Sequence, residues 1–388
     1  MNLPPTYYDV LLRRNPVLFE CVEKDVAKLR ETGDDGPFGS TDEFSRHFPE
    51  YAEGKTKDLV ETFKDNLRKD YGYSEARIEA AVAELANQEY FKKALYSFHA
   101  DYLTMSNFLL YGRKAFYVAD NLAERLIHTE LNADCDFLRL PFKCSLFVFT
   151  SPAIGDALYA IHDGKSRSDA PVSVFVTESE MEDGRRKLIM ACFHADHRDS
   201  HFFAKRELLL THGGIQQALR TDWTDIFCNK EDEEQESASS FLSSPDELFY
   251  KQGLPFFRAV INTILYLGSN DPDLIEVLSP VPALEERMRQ TKSNSKRKKI
   301  KGEARRVSAL DYIFVGKSVP KMSQEEPEVV EEEAGGEKRR VKVRFMVRGH
   351  WRNQSHGPDG GLRRLTWIMP YFKGPDIGDL VNHPYVVR

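Results

Sequence analysis

Ser145–Thr150 reads SLFVFT, Val172–Thr177 reads VSVFVT and Lys187–Phe193 reads KLIMACF. Each run is short, apolar and mostly rich in β-branched and aromatic residues, the composition of a buried strand. The last two flank Glu178–Arg186, which carries Asp183-Gly184, a pair suited to the positive φ values of a tight hairpin turn. Three strands are therefore expected here, the latter two as an antiparallel hairpin. On either side the period changes. Ser74 is placed to cap a helix whose stripe runs Ile78, Val82, Leu85. Asp101–Leu131 carries Phe108, Leu109, Phe116, Leu122 and Leu126 near the helical period, and Tyr90, Phe91, Leu95, Tyr96 and Phe98 form an aromatic cluster before it. Pro255–Leu267 is again helical, with Pro255 suited to a first turn.

The expected fold is α+β: an N-terminal helical region over 1–134 and an α+β core over 135–290 with a mixed or antiparallel sheet and packed helices. Charged linker segments follow over 291–337, with a short ordered stretch near 308–320, and a basic C-terminal β-hairpin over 338–388 joins the core sheet. A chain of 388 residues is long enough for two or three domains, and 41% apolar content is enough to build a core. Lys and Arg number 54 against 61 Asp and Glu, so the net charge is 54 − 61 = −7, which argues against a general nucleic-acid coat. No apolar run reaches the roughly 20 residues of a membrane helix, and Met1–Pro5 lacks the basic and apolar regions of a secretory signal. Five cysteines (21, 135, 144, 192, 228) with no CxxC pair fit reduced thiols in a cytosol. No P-loop, GxGxxG or GxSxG motif occurs.

Charge is segregated along the chain. Lys292–Arg306 holds eight basic residues and one acid, and Met322–Glu337 holds seven glutamates and no base. Blocks of like charge bury little apolar surface, so Ser293–Lys301 and Met322–Glu337 are expected to stay mobile. Lys296-Arg297-Lys298-Lys299 could neutralise phosphates without reading sequence, or serve as a plain solvated linker. Lys338–Arg388 carries eleven Lys/Arg against three Asp, a local net of +8. There Val341, Val343, Phe345 and Val347 alternate with Lys342, Arg344, Met346 and Arg348, a period of two with one apolar and one largely basic face. Leu365–Tyr371 reads as the returning strand, with Gly349–Arg364 as a long loop between. Trp351 and Trp367 would approach each other across that loop, and Trp367, flanked by Leu365, Ile368 and Met369, is expected to be the more buried.

Two constellations could carry chemistry. Arg344, Arg348, His350, Trp351, Arg352, Gln354, Arg364 and Trp367 combine guanidinium forks for phosphate or carboxylate with aromatic rings that can stack on an unpaired base. RNA, an acidic peptide, or simply the chain's own carboxylates would satisfy them. His194, Asp196, His197 and His201 follow the third strand closely, and such a cluster could hold a borderline metal for hydrolysis, although a polar turn after a strand would look the same.

Leu138-Arg139-Leu140-Pro141-Phe142-Lys143-Cys144 leads into the first strand, and Gly253-Leu254-Pro255-Phe256-Phe257 opens the apolar helix. Tyr312-Ile313-Phe314-Val315-Gly316, Val347-Arg348-Gly349-His350-Trp351, and Arg364-Leu365-Thr366-Trp367 before Pro370 complete the order. Over about residues 138–388 this succession resembles the second anti-CRISPR family described against type V-A systems. The resemblance implies a non-catalytic effector of a mobile genetic element, acting without cofactor or membrane in the cytoplasm of a bacterial host. It would block a defence nuclease or its synthesis by recognising a protein or ribonucleoprotein: a CRISPR effector nuclease, its nascent chain or its transcript. The resemblance places Arg348, Gly349, His350, Trp351, Arg364 and Trp367 in the matching block. A metal-dependent hydrolase or nuclease built on His194–His201 is the alternative.

Overall fold

The computed structural model describes residues 3–32, most of 60–87, and, apart from isolated positions, 101–161, 171–194, 202–228, 253–322 and 345–373. The fold is α+β, organised around one mixed seven-stranded sheet. Its strands are β1 (Ala115–Val118), β2 (Cys144–Phe149), β3 (Val172–Glu180), β4 (Arg186–His194), β5 (Phe202–Leu210), β6 (Leu274–Val277) and β7 (Tyr312–Val315), in the order β5-β4-β3-β2-β1-β7-β6. β1 lies parallel to both β2 and β7, and all other neighbours are antiparallel. The β3–β4 hairpin forms as the sequence suggests, with Gly184 at φ 78° closing the turn through hydrogen bonds between Met181 and Arg185 and between Gly184 and Met181.

Both faces of the sheet are covered, and the period of two assigns each side chain to a layer. Phe116, Val118, Phe147, Phe149, Val174, Val176 and Met190 enter one core, while Tyr117, Leu146, Val148, Phe175 and Phe193 enter the other. The second core is closed by α1 (Tyr7–Arg14), α2 (Pro16–Thr32) and the helix over 101–110, labelled α4; α3 (Glu75–Asn87) precedes it and buries Ile78. In it Tyr7 stacks on Phe193 at 4.0 Å and donates its hydroxyl to the buried Asp101 at 2.8 Å. Burial raises the Asp101 carboxyl to about 7, although the bond from Tyr7 opposes the change. The first core is closed by α5 (Asp120–Ile127), α6 (Pro152–Ile161), α7 (Ile215–Cys228) and α8 (Leu254–Leu267), the last with Pro255 in its first turn.

Several elements depart from the sequence reading. Asp101–Leu131 is not one helix: it breaks after α4, Arg113 takes a φ of 59°, and Ala115–Val118 becomes a fully buried central strand before α5 begins. A four-residue apolar run between two helical patterns cannot be told from helix by periodicity, and pairing on both edges decides it. The sheet thus takes β1 from the stretch read as purely helical. Ser293–Lys301 is not irregular either. It lies largely in α10 (Asn294–Ala304), capped by Ser293 and packed through Ile300 against Leu284 of α9 (Val281–Gln290) and Val307. Residues 323–337 and the aromatic cluster over 90–98 lie outside the described residues.

The C-terminal region also differs. β8 (Phe345–Val347) pairs with β11 (Tyr371–Lys373), and β9 (His350–His356) pairs with β10 (Leu362–Ile368). The stretch read as a long loop is therefore mostly strand, turned at Gly357–Gly361. These are two-stranded ribbons of their own and do not extend the central sheet. They are held to the first core instead by side chains and by a single parallel bridge between Thr129 and Gly349. Among the described residues no helix is long and apolar enough to cross a membrane.

Candidate binding surface on the C-terminal hairpin

The hairpin is fixed to the body through the Arg348–Trp351 block. Gly349 N–H donates to the His128 carbonyl at 3.1 Å, and the Glu130 N–H donates to the Gly349 carbonyl at 2.8 Å. This approach leaves no space for a side chain: a Cβ on Gly349 would lie 2.6 Å from Thr129 Oγ1, 2.7 Å from Pro370 Cδ and 2.9 Å from the Ile368 carbonyl oxygen. One residue pair on, the Trp351 backbone is bracketed by Asn132, which accepts from its N–H at 2.8 Å and donates to its carbonyl at 2.9 Å. The Trp351 indole N–H donates to Asn262 Oδ1 at 2.8 Å, and Asn262 Nδ2 donates to the Leu126 and Thr129 carbonyls at 3.0 Å each. A wholly buried amide on α8 thus joins the end of α5 to the hairpin with its carbonyl and amide groups both paired.

Trp367 lies opposite Trp351 in the register, and their rings stack with centroids 6.3 Å apart. Its indole N–H donates to Thr129 Oγ1 at 3.1 Å, and Tyr266 meets it edge-on at 5.5 Å. The fully buried Arg125 donates to the Pro320 and Pro370 carbonyls at 3.0 Å each, closing the same junction. Trp351 is 3% exposed and Trp367 only partly buried, the reverse of the sequence expectation. His128 sits beside the bridge, and burial first, then Arg258 and Arg348, hold its imidazole below the ordinary value.

The register divides the hairpin into two faces, since directly paired residues share a face. Trp351, Trp367 and Leu365 belong to the face packed on the body; Asn353, opposite Leu365, shares that face by register but is exposed. His350 with Ile368, Arg352 with Thr366, Gln354 with Arg364 and His356 with Leu362 form the opposite face. On it Arg352, Arg364 and Leu362 are exposed. Arg348 is half exposed and makes a long ion pair with Glu130 at 3.8 Å. Arg344 lies outside the described residues. The eight residues singled out in the sequence therefore split: Trp351 and Trp367 anchor, while Arg352 and Arg364 are exposed on the opposite face with the half-buried Gln354 between them.

Beside the displayed face a cleft of about 730 Å³ opens between the hairpin and the turn after α8, lined among others by Arg364, Thr366, Met369, Asp271, Asp273 and Leu274. Asp273 accepts from the Ser318 N–H at 2.6 Å and hydroxyl at 2.7 Å, and these bonds hold its carboxyl below the usual range. The cleft was not foreseen, because its walls lie almost a hundred residues apart in the chain. Of the proposed metal ligands, His194 ends β4, while Asp196, His197 and His201 lie outside the described residues. Among the described residues no group of three His, Cys, Asp or Glu is placed to hold a metal.

No curated protein matches the chain. A solved structure titled "Crystal structure of AcrVA2" is 14% identical, with a TM-score of 0.37, covering 86% of this chain and 97% of that one. The model of the AcrVA2-like family, described as the anti-CRISPR type V subtype A2 family, matches residues 116–373. That span runs from β1 to the end of β11 and contains every residue of the junction just described, so the chain belongs to the AcrVA2-like family of anti-CRISPR proteins.

Proposed function

We propose that this anti-CRISPR effector, whose family implies a CRISPR-related partner, recognises an acidic peptide segment of that partner on the displayed face of the β9–β10 hairpin. The segment would belong to a type V effector nuclease or its nascent chain. The observation that carries the reading is the register, which sets Arg352, Gln354 and Arg364 on one face and turns both tryptophans to the other. A guanidinium fork binds a carboxylate in bidentate fashion, and Gln354 can pair with peptide backbone. RNA is the weaker reading for this face. Stacking on unpaired bases needs free aromatic rings, and here both indoles are hydrogen-bonded into the body. The adjoining cleft carries both signs of charge and the exposed Met369, a lining suited to a peptide rather than to a phosphate chain.

The test is binding of labelled peptides tiling a type V effector nuclease to the wild-type protein and to Arg352→Glu with Arg364→Glu. Circular dichroism first establishes that the variant is folded. Each arginine lost from a charge-assisted contact should weaken binding by roughly 1.5–3 kcal/mol. A folded double variant that keeps full peptide binding and full inhibition would overturn the reading.

A further inference from the structure

We infer that α10, on the small α9–α10 hairpin, is a second binding surface, one that takes the phosphate backbone of RNA without reading its sequence. The inference does not depend on the role of the C-terminal hairpin. Lys292–Arg306 has eight cations and one acid, a local net of 8 − 1 = +7 in a chain whose total is −7. The structure makes this stretch helical, and so gives the charges fixed positions. Lys298, Lys301 and Arg305 follow one another at spacings of three and four, so they share a face, and all three are exposed. Lys296, Lys299 and Arg306 are exposed beside them. Among the described residues none of Lys298, Lys301 and Arg305 makes a side-chain ion pair.

Like charges at these spacings repel and oppose the helix they sit on. Ile300 is the one large apolar anchor of α10, packed on Leu284 and Val307 with Ala304 beside it. Arg13 of α1 donates to the Arg305 carbonyl at 2.7 Å and so ties the basic end to the body. The Arg13 cation is disfavoured by burial, an effect opposed by Asp9 and aided to a smaller extent by Arg305. An arrangement that holds uncompensated cations on one rigid face complements a polyanion.

The choice among polyanions follows from what the helix lacks. A membrane surface helix needs an apolar face toward the lipid, and the only large apolar side chain of α10 is turned inward. A protein interface is centred on aromatic or apolar anchors, and α10 exposes none. Mostly lysine, presented as separate hydrated point charges, suits the regular phosphates of a nucleic acid.

The probe is a fluorescein-labelled single-stranded oligouridylate, followed by anisotropy between about 50 and 200 mM salt. For a single strand, each phosphate neutralised contributes about 0.7 to the slope of log affinity against log salt. Lys298→Gln with Lys301→Gln and Arg305→Gln should therefore lower the slope by about 2 and weaken binding by about a hundredfold near 0.1 M salt. The charge-preserving set, Lys298→Arg with Lys301→Arg and Arg305→Lys, should bind like the wild type, and so should Arg352→Glu with Arg364→Glu. The inference fails if the wild-type protein does not bind the probe, or if the folded glutamine variant keeps its affinity and slope. It also fails if only the hairpin variant loses binding, or if a polyglutamate chain or vesicles of anionic lipid bind as tightly as the RNA.

Discussion

Gly349→Ala is the most direct test of how the hairpin is held. The Gly349 backbone does not need a positive φ, so any cost is one of space. The added methyl would fall within 3.0 Å of three atoms, two of them on the ring of Pro370 and the carbonyl of Ile368, which cannot swing aside as a flexible side chain could. The backbone must retreat, and two hydrogen bonds, to His128 and from Glu130, lengthen or break. At about 1 kcal/mol each, with a further 1–2 kcal/mol for loosened packing around Trp351, the expected loss is roughly 3–4 kcal/mol. Gly361→Ala is the control. It lies on the same hairpin, its backbone is right-handed at φ −72°, and the nearest atom to its Cβ is 3.8 Å away. Urea unfolding followed by tryptophan fluorescence reads both variants, because two of the three tryptophans sit at the junction. A Gly349→Ala midpoint indistinguishable from that of Gly361→Ala would show that the bridge to Thr129 carries no load.

Two further substitutions test buried polar groups. Trp351→Phe keeps an aromatic side chain but removes the donor to Asn262 Oδ1 and the second ring of the indole; the orphaned buried acceptor should cost about 1–3 kcal/mol in chemical denaturation and the space left by the indole adds to it, so a neutral result would mean that the amide re-pairs and the core closes over the gap. Asp101→Asn should change the pH dependence of stability. With its carboxyl raised from 3.8 to about 7, the native state holds a proton that the unfolded chain releases, so this group's contribution is complete below about pH 4 and is lost as pH rises to about 7. The asparagine variant can still accept from Tyr7 and should match the wild type near pH 4 while exceeding it above pH 7, by up to roughly 4 kcal/mol; parallel stability curves would refute the assignment.

The central strands were legible because burial on both faces leaves near-continuous apolar runs, and β2, β3 and β4 stand close to where those runs lie. Other strands left weaker marks. β6 is an exposed edge strand, with Leu274 and Ile275 open to solvent, and its four residues announce nothing by period. β5 mixes Lys205, Arg206 and Glu207 into its apolar residues and is recognisable mainly by its pairing with β4. Charge misled in a different way. The basic run over 293–301 looks like solvated chain when counted residue by residue, yet one isoleucine at the right phase and a serine cap suffice once α9 supplies a surface to pack on.

The two tryptophans explain why the binding surface was only half legible. Trp367 looked the more buried because Leu365, Ile368 and Met369 surround it in sequence. In a strand, however, Ile368 points to the opposite face and carries no information about residue 367. Burial is decided instead by the cross-strand partner and by the layer beneath, and both are remote: Asn262 under Trp351, Thr129 and Tyr266 against Trp367. The same parity rule that conceals this also makes the displayed face a consequence of the anchored one. Once Gly349 sets the distance to α5 and Trp351 points inward, Arg352, Gln354 and Arg364 must fall on the opposite face, whatever their chemistry. A slip of one residue in the β9–β10 register would exchange the sets, burying cations and exposing an indole. The hydrogen bonds from both indoles therefore hold more than the core of the junction: they determine which residues a partner meets.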